Sequence, residues 1–445
     1  MKTNKRVLIV TYYWPPTGGS GVQRWVKFVK YLHEFGWQPV VYTPENPERL
    51  ATDETLLAEI PSDVELIKRP ILEPYNIYRK LLGRRKAKAA SSDTPSGEIN
   101  PINASSNKSP MQKFALWVRS NLFIPDPRIS WVRPSVRFLK KYLKEHPVDV
   151  IVTTGPPQSM HLIGRGLKRS CGLRWIADFR DPWTNMFFFK HLNLSPWAEK
   201  LHHKLERSVL DESDAIISVT PLVQKDFEAM TRTPVHLITN GFDDDDFSES
   251  GSNAPEAPQP ERFTIAHTGL FAADGNPVAL WEILSRKCEA DAEFAESLEI
   301  RLIGKVDREI IASIREHGLG DKLELLGYLP HDETVREQKC AAVLILPLRV
   351  DPEYAKVLPG KIFEYLASRR PILGIGQEEG AAAQVLAQAG SGTMCDWDNV
   401  SAMSEFIDGE WKLFKAGKSG RFDADIRQYS RRELTKTLAK LLDEG

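Results

Sequence analysis

Short apolar runs alternate with longer amphipathic stretches along almost the whole chain. Many of the runs, such as VLIV, VIVTT, AIISV and AVLIL, are nearly continuous in valine, isoleucine and leucine, which is typical of strands buried on both faces of a parallel sheet. Amphipathic patterns such as Trp197–Leu210 and Lys361–Ser368 predict helices between the strands. This alternation predicts an α/β protein built of right-handed βαβ units. The predicted strands are Arg6–Tyr13, Gln38–Thr43, Val64–Arg69, Asp149–Thr154, Arg174–Asp178, Ala215–Thr220, Val235–Thr239, Phe263–Thr268, Leu298–Ile303, Lys322–Leu326, Ala341–Leu346, Pro371–Ile375 and Gly392–Cys395.

Two segments interrupt the alternation. Residues 83–110 are polar and low in complexity, which predicts a mobile loop inside the first half. Residues 249–261 are rich in Ser, Pro and Glu, which predicts a linker. We therefore expect a first domain over 1–248 and a second over 262–420, with a ligand site at their interface. The final stretch, 421–445, is predicted to be a helix that packs back on the first domain.

Composition excludes several classes of protein. The chain has 445 residues, with 59 Lys and Arg against 60 Asp and Glu, and this balance argues against a general nucleic-acid binder. Its 4 cysteines form no CxxC pair, so neither a zinc cluster nor a disulfide framework is predicted. No apolar stretch reaches the roughly 18 residues of a membrane span, and the N-terminal run is too short for a signal sequence. We expect a cytoplasmic protein, with the inner face of the plasma membrane as a further location.

The first candidate site is the turn PPTGGSGV, which directly follows the first strand. Gly19 and Gly21 let backbone amides approach a ligand, and the following helix offers its N-terminus to an anion. The spacing is not GxGxxG, because Arg24 stands where the third glycine would be, and no Walker A lysine follows. The alternative interpretation is a tight strand–helix turn without a ligand.

The second candidate is WIADFRDPW, at the end of a strand in the first half. Ligands of open α/β sheets bind beyond the carboxyl ends of strands, so Asp178, Arg180 and Asp181 are expected to project into that crevice. A carboxylate there can orient a hydroxyl or take its proton. The alternative is an internal Asp–Arg salt bridge.

The third candidate lies in the second half, where HTG and GK end two strands and LPGKIFEYLA begins a helix. Gly269 and Lys305 belong to the strand ends, and Gly360 precedes the helix. Its N-terminus together with Lys361 and Lys305 suits a diphosphate, and Glu364 suits a ribose diol. The alternative is that Lys361 and Glu364 form an i,i+3 pair on the surface.

Three weaker patterns are weighed against ordinary structural roles. The acidic run Asp243–Asp246 contains a DxD pattern, but a solvated turn is favoured over a metal site. The pair at residues 202–203, HH, is interpreted as a surface feature of a helix. The basic segment Arg79–Lys88, with the helical pattern over 111–122 and Phe187–Phe189, suggests contact with anionic lipid, against a solvated loop and an ordinary packed helix.

The order of these motifs resembles a known family. The matching segments are YYWPPTGGSGVQR, LFIPDPRISWVRPS, VTTGPPQSMHLIG, WIADFRDPW, ITNGFD, RLIGKVD, LLGYLPHDE and LPGKIFEYLASRRPIL. In these segments the chain is similar to the retaining glycosyltransferases of family 4, of the bacterial surface-polysaccharide type. The resemblance implies the GT-B architecture, in which two doubly wound, Rossmann-like domains face a cleft. It further implies an acceptor-binding first domain, a nucleotide-sugar-binding second domain, and no metal or cofactor besides the nucleotide diphosphate sugar as co-substrate.

The resemblance also implies roles for individual residues. Asp181 falls near the family's acceptor-side catalytic position, Lys305 and Lys361 face the diphosphate, and Tyr328–Pro330 lies near the base. Together with the patterns above, the acceptor-binding residues are Asp178, Arg180 and Asp181, and the catalytic residues are Asp181, Lys305 and Lys361. The donor-binding residues are Gly19, Gly21, Gly269, Lys305, Leu329, Gly360, Lys361 and Glu364.

Three departures from the family pattern concern its donor contacts. The stretch Leu270–Pro277 lacks the usual Arg…Lys pair, and Lys356 stands where the E-x7-E motif has its first glutamate. Many relatives also have a histidine after the fifth strand, where this chain has DFRDPW. The expected reaction is sugar transfer with retention, by front-face attack on the donor. The alternatives are a nucleotide-sugar epimerase or hydrolase, and a non-catalytic scaffold subunit of a polysaccharide assembly complex.

Overall fold

The computed structural model describes residues 5–48, 52–72, 110–186, 189–247, 260–418, 420 and 422–444. The predicted basic segment Arg79–Lys88, nearly all of the predicted 83–110 loop and most of the 249–261 linker lie outside these residues. The chain divides into two compact units. Unit 1 comprises Met1–Thr239 and Leu434–Gly445, and unit 2 comprises Asn240–Glu433.

Unit 1 is built on a seven-stranded parallel sheet in the order β3-β2-β1-β4-β5-β6-β7. This is the Rossmann order extended by one strand. All strands are parallel, and the order in which they are added to the sheet reverses between β1 and β4. The strands are β1 Lys5–Val10, β2 Trp37–Pro44, β3 Glu65–Arg69, β4 Val150–Gly155, β5 Arg174–Phe179, β6 Ala215–Ser218 and β7 Val235–Leu237. The helices are α1 Ser20–Leu32, α2 Pro110–Leu122, α3 Ile129–Glu145, α4 Ser159–Cys171, α5 Pro196–Glu212 and α6 Pro221–Met230.

Unit 2 repeats this plan with a six-stranded parallel sheet in the order β10-β9-β8-β11-β12-β13. The order in which the strands are added to this sheet reverses between β8 and β11. The strands are β8 Phe263–Thr268, β9 Leu298–Ile303, β10 Leu323–Gly327, β11 Val343–Pro347, β12 Ile372–Ile375 and β13 Gly392–Cys395. The helices are α7 Asp244–Phe247, α8 Val278–Ala290, α9 Ala292–Ser297, α10 Arg308–Glu316, α11 His331–Cys340, α12 Lys361–Ser368, α13 Ala381–Ala389, α14 Val400–Lys415 and α15 Arg431–Asp443, which continues into unit 1.

Each sheet has its own hydrophobic core. The apolar runs that predicted the strands are completely buried, because helices cover both faces of a parallel sheet. Helix α1 directs Val22, Trp25, Val29 and Leu32 into the core of unit 1, following the spacing of one helical face. The predicted strands are therefore confirmed, with differences of at most three residues at their ends.

The unit boundaries differ from the predicted domains. Residues 240–247 were assigned to a first domain over 1–248, but they belong to unit 2, where Phe242 pairs with Tyr429 through its backbone. The predicted helix over 421–445 begins later, because residues 422–426 are irregular and α15 starts at Arg431. Leu434, Leu438 and Leu441 of α15 lie in the core of unit 1. Among the described helices, none is both long enough and apolar enough to cross a bilayer.

Candidate functional site

Two glycine turns meet at the carboxyl ends of β8 and β9 in unit 2. Gly269 and Gly304 have φ of 91° and 103°, a region that favours glycine. The Gly269 amide donates to the Ile303 carbonyl at 2.8 Å, and a Cβ on Gly304 would lie 2.6 Å from the Gly269 carbonyl oxygen. Both glycines are therefore required for the close approach of the two strand ends.

Lys361, the first residue of α12, lies against this turn. Its Nζ is 2.9 Å from Nε2 of His267 and donates to the Leu270 carbonyl at 3.2 Å. It is 3.5 Å from the place where a Cβ on Gly269 would stand. Burial lowers the pKa of Lys361 to about 8, although Glu364 acts in the opposite direction. The sequence alternative of an i,i+3 surface pair is wrong, because the described residues place no carboxylate within ion-pair distance of this ammonium.

Glu364 lies one turn further along α12 and is mostly enclosed. Its Oε2 accepts a hydrogen bond from Nε2 of Gln338 at 3.2 Å, and the same amide nitrogen donates to Thr268 Oγ1 at 3.1 Å. Burial raises the pKa of Glu364, against the opposing effect of the Gln338 hydrogen bond. Tyr365 belongs to the core, as predicted, and its hydroxyl accepts from the Thr268 amide at 2.9 Å. Helix α12 thus carries the Glu364 carboxylate one turn after Lys361, and the hydrogen bond from Gln338 fixes its orientation.

The remaining predicted donor residues are more exposed. Lys305 follows Gly304, its side chain is exposed, and its backbone carbonyl accepts from the Phe271 amide at 2.9 Å. Gly360 precedes α12, and nothing lies within 4 Å of the place where its Cβ would be. Leu329 is half-buried, beside Tyr328, which is 91% exposed. Lys305 and Lys361 therefore lie at the same strand ends but differ in environment.

The loop that lacks the expected basic pair receives an arginine from elsewhere in unit 2. Arg349, after β11, contacts Asp274 with an Nε–Oδ2 distance of 2.9 Å. The sequence could not reveal this contact, because the two residues are 75 positions apart. At the position expected for the first glutamate, Lys356 lies 3.9 Å from Glu353 in a short 3₁₀ segment. The charge of Arg349 is therefore compensated by Asp274.

In unit 1, the predicted acceptor-binding role of Asp178 is wrong. Asp178 and Arg24 both have completely buried side chains and form an ion pair at 2.8 Å. The carboxylate also accepts from Trp25 Nε1 at 2.8 Å and from Thr154 Oγ1 at 2.9 Å. An internal salt bridge is therefore present, as the alternative interpretation proposed, but its arginine comes from α1. Strand β5 is buried on both faces, and Arg24 of α1 covers the carboxylate.

Arg180 and Asp181 lie just beyond β5 and are less buried. The guanidinium of Arg180 donates to Asp181 Oδ2 from Nε at 3.1 Å and from Nη2 at 2.9 Å. A Cβ on Gly21 would lie 1.6 Å from Arg180 Nη1, so this glycine leaves room for the guanidinium. Gly19 precedes α1 with φ of 112°. The structure thus brings Gly21, Arg180 and Asp181 together at the start of α1.

Helix α5 anchors the loop that follows Asp181. Trp183 donates from Nε1 to His202 Nδ1 at 3.0 Å, and the amide of Thr184 donates to Glu206 at 3.2 Å. The interpretation of residues 202–203 as a surface feature is wrong for His202, which is 3% exposed. Burial lowers its pKa to about 4, so it is a neutral hydrogen-bond acceptor at neutral pH.

A small open depression adjoins the glycine-rich turn in unit 1. It lies at the carboxyl ends of β1, β2 and β3, where open α/β sheets bind ligands. The lining includes Trp14, Thr17, Thr43 and Lys68. Thr17 belongs to the candidate turn PPTGGSGV, whereas the sequence analysis did not identify Trp14, Thr43 and Lys68.

The acidic run does not behave as a solvated turn. Asp243 is 3% exposed, and Asp246 lies 3.1 Å from Nε2 of His331. Burial raises the pKa of Asp244. Within the part of the chain that the structure describes, no group of histidine, cysteine or acidic residues has the arrangement of a metal site. The run therefore helps to build unit 2, where α7 belongs.

Comparison with known proteins agrees with this architecture. The sequence model of the family described as Glycosyltransferase Family 4 matches residues 104–246. A search of curated protein sequences gives no significant match. A glycosyltransferase from Rickettsia africae has a TM-score of 0.60 and 13% identity, covering 99% of this chain and 98% of the other. WaaG, described as a glycosyltransferase involved in lipopolysaccharide biosynthesis, has a TM-score of 0.55 and 14% identity, covering 99% and 100%.

A third similar structure is S. aureus TarM in complex with fondaparinux, α-GlcNAc-glycerol and UDP. Its TM-score is 0.54 at 10% identity, covering 99% of this chain and 100% of the other. Likeness at these identities shows the fold, and the two Rossmann-like sheets confirm the predicted GT-B class. Together with the family match, these findings agree with the resemblance found in the sequence: the chain has the GT-B fold, and its residues 104–246 match the family 4 glycosyltransferase model.

Proposed function

We propose that this protein transfers a sugar from a nucleotide diphosphate sugar to a hydroxyl of a saccharide or lipid-linked saccharide, with retention, in cell-surface polysaccharide synthesis. The observation that carries the proposal is Lys361. This mostly buried ammonium lies at the N-terminus of α12, with two neutral acceptors and no carboxylate of the described residues within ion-pair distance. A buried cation without a counter-charge is unfavourable until an anion arrives. A diphosphate supplies that charge.

Four features of unit 2 support binding of the nucleotide part. The Lys361 ammonium and the helix N-terminus both favour a phosphate group. Glu364 lies one turn away and accepts hydrogen bonds, which suits a pair of ribose hydroxyls. The exposed Lys305 adds a solvent-screened positive charge at the same strand ends. Leu329 and Tyr328 offer apolar surface for a base.

The chemical step follows from where charge develops. The bond between the sugar C1 and the diphosphate oxygen breaks, and the new bond to the acceptor oxygen forms on the same face. The acceptor proton passes to an oxygen of the departing phosphate. Lys361 stabilises the negative charge that accumulates on that phosphate, which is a preorganised electrostatic contribution. The proposed reaction needs no metal, and the nucleotide sugar is its co-substrate.

On the acceptor side, Asp181 is the residue proposed to orient the attacking hydroxyl. It lies beyond the carboxyl end of β5, and the adjacent Arg180 fixes its carboxylate at 2.9 Å. Asp181 is partly exposed, unlike Asp178, so a ligand has access to it. An acceptor can therefore reach Asp181 but not Asp178.

Association with the inner face of the plasma membrane is proposed as well. The basic segment Arg79–Lys88 and residues 187–188 lie outside the described residues, while Trp117 and Trp197 are 42% and 62% exposed. Exposed tryptophans and a basic segment in the same chain suit a lipid interface. Co-sedimentation with neutral and anionic vesicles tests this. Equal retention on both would contradict the electrostatic part.

The central experiment is thermal unfolding against UDP, GDP, ADP, dTDP and CMP, each with and without a chelator. A ligand at about a hundred times its dissociation constant adds roughly 2.7 kcal/mol, enough to raise the midpoint by several degrees. We expect one nucleotide to raise it equally with and without chelator. No shift with any nucleotide would overturn the donor site and favour the scaffold alternative.

The matching nucleotide sugar is then incubated with and without saccharide acceptors, and NMR identifies the products. Transfer with the anomeric configuration of the donor supports the proposal. Release of free sugar without an acceptor would instead identify an epimerase or hydrolase. Inversion of the anomeric centre would contradict the front-face mechanism.

A further inference from the structure

His267 occupies an unusual position next to the proposed donor site. It is the penultimate residue of β8, is completely buried, and has its Nε2 2.9 Å from Lys361 Nζ. Among the described residues, its Nδ1 has no hydrogen-bond partner. The ring packs on Phe271 with centroids 4.4 Å apart. Buried polar atoms nearly always have a hydrogen-bond partner, so the unpaired Nδ1 of His267 is unusual.

Lys361 determines which nitrogen of the His267 ring carries the proton. An ammonium group has three N–H donors and no acceptor, so Nε2 of His267 must accept from Lys361. The ring proton then lies on Nδ1, the nitrogen without a partner. Burial and the charge of Lys361 both lower the pKa of His267 well below its usual value, which keeps the ring neutral. The fold therefore maintains a buried, neutral acceptor for one lysine.

This arrangement restricts the directions in which Lys361 can donate. One N–H is taken by His267 and a second by the Leu270 carbonyl at 3.2 Å. The third N–H remains for a ligand. Gly269 leaves free space beside the ammonium, since a Cβ there would stand 3.5 Å from Nζ. The lysine is thus a directed single donor rather than a freely rotating charge.

We propose that His267 is a positioning residue, which holds Lys361 in its charged form and aims its remaining N–H at a phosphate group of the ligand. The inference rests on the proposed function, because it concerns the same diphosphate site. It assigns no contact between His267 and the ligand. His267 acts through Lys361, by supplying an acceptor that stabilises the ammonium after its removal from water.

Other charged groups also influence the protonation of Lys361, directly or through Glu364. Glu364 lies on the same helix and raises the pKa of the lysine, while burial lowers it to about 8. His331 of α11 and Asp246 of α7 influence Glu364 and lie 3.1 Å from each other. None of these groups replaces the hydrogen bond from Lys361 to His267.

The first test measures the protonation of Lys361 without any ligand. Only the neutral amine reacts with acetic anhydride, so competitive labelling between pH 6 and 11, read by mass spectrometry, gives the titration midpoint of each lysine. The matched variants are His267→Gln and His267→Asn. A Gln side chain places its terminal group near Nε2 and keeps an acceptor for Lys361, whereas Asn reaches only the position of Nδ1. The exposed Lys305 is the internal control.

We expect the midpoint of Lys361 near 8 in the native protein and within about half a pH unit of that value in H267Q. In H267N it should fall by about one pH unit or more, because a hydrogen bond to a charged group is lost. The Lys305 midpoint should not change in either variant. Equal Lys361 midpoints in all three proteins would overturn the inference. Circular dichroism shows that both variants are folded before labelling.

The second test measures pyrophosphate and UDP binding by calorimetry over the same pH range. H267N should lose affinity at pH 7.5 and regain it at lower pH, while H267Q follows the native profile. A simple loss of packing would lower affinity equally at every pH and contradict the proposal. If the native protein binds neither ligand, the proposed donor site fails, whereas the labelling result still decides the coupling of His267 to Lys361.

Discussion

Arg24 and Asp178 form an ion pair that is completely removed from solvent, although α1 and β5 contribute them from positions 154 residues apart. Arg24 also donates to the carbonyls of Ile238 and Thr239 at 2.9 and 2.8 Å. Burial by itself would raise the pKa of Asp178, but Arg24, Trp25 and Thr154 together hold it below its usual value. The pair ties α1, β5 and the end of unit 1 to each other.

Breaking this pair should destabilise unit 1 strongly. Asp178→Asn leaves a buried guanidinium without a counter-charge, a change that costs about 3–5 kcal/mol in comparable sites. Urea unfolding, followed by tryptophan fluorescence, measures the loss. Asp211→Asn, which breaks the exposed Arg207–Asp211 pair, is the control and should cost less than about 0.5 kcal/mol. A similar small cost for Asp178→Asn would show that the pair is not a structural element.

The same pair should contribute to acid sensitivity. The pKa of the Asp178 carboxyl is lower in the folded protein than in the unfolded chain. Such a group stabilises the fold at pH values above the usual aspartate pKa, and this stabilisation is lost as the pH falls through the folded pKa. We expect the difference in unfolding free energy between native protein and Asp178→Asn to shrink below about pH 4. Unfolding curves at pH 3 and 7 measure it, and a constant difference would contradict this assignment.

Replacing Lys361 should affect nucleotide binding far more than replacing Lys305. Lys361→Met removes a directed charge-assisted donor and should weaken nucleoside diphosphate binding about 10- to 150-fold. Lys305→Met removes an exposed, screened charge and should change affinity less than about fivefold. Calorimetry compares the two variants. Equal losses would contradict the distinction that burial makes between them.

Nucleotide affinity should decrease above pH 8. The free protein loses the Lys361 proton near that pH, whereas a bound diphosphate favours the ammonium, so binding takes up a proton. The dissociation constant should rise about tenfold per pH unit above 8 until the pKa of the complex is reached. The folding stability of the ligand-free protein should change in the opposite direction. The pKa of Lys361 in the folded protein lies below the usual 10.5, so this group makes the free energy of unfolding rise as the pH increases from 8 to 10.5. Lys361→Met should abolish both effects.

Gly21→Ala should lower turnover without destabilising unit 1. A Cβ there would overlap Arg180 Nη1, so the guanidinium that holds Asp181 has to shift. Alanine is otherwise favourable in a helix, so the unfolding midpoint should not fall. The matched control is Gly409→Ala in α14, where no atom lies within 4 Å of the new Cβ. Normal transfer rates in Gly21→Ala would remove Arg180 and Asp181 from the acceptor site.

Local pattern was sufficient for the architecture. Strands of Val, Ile and Leu that are buried on both faces have a signature within four to eight residues, so the order of strands and the two α/β halves followed from the sequence. The sequence also predicted the positions of Gly19, Gly21 and Gly269 at strand–helix turns and of Lys361 at the start of a helix, because such turns follow strand ends.

Only the tertiary structure decided which polar residues are available to a ligand. Asp178 and Asp181 are three positions apart in one motif, yet one is enclosed by Arg24 and the other is partly exposed. Lys305 and Lys361 are equal cations in the sequence, but packing against His267 and Leu270 encloses only the second. Burial and partners depend on contacts between residues far apart in the chain, and no local pattern records them.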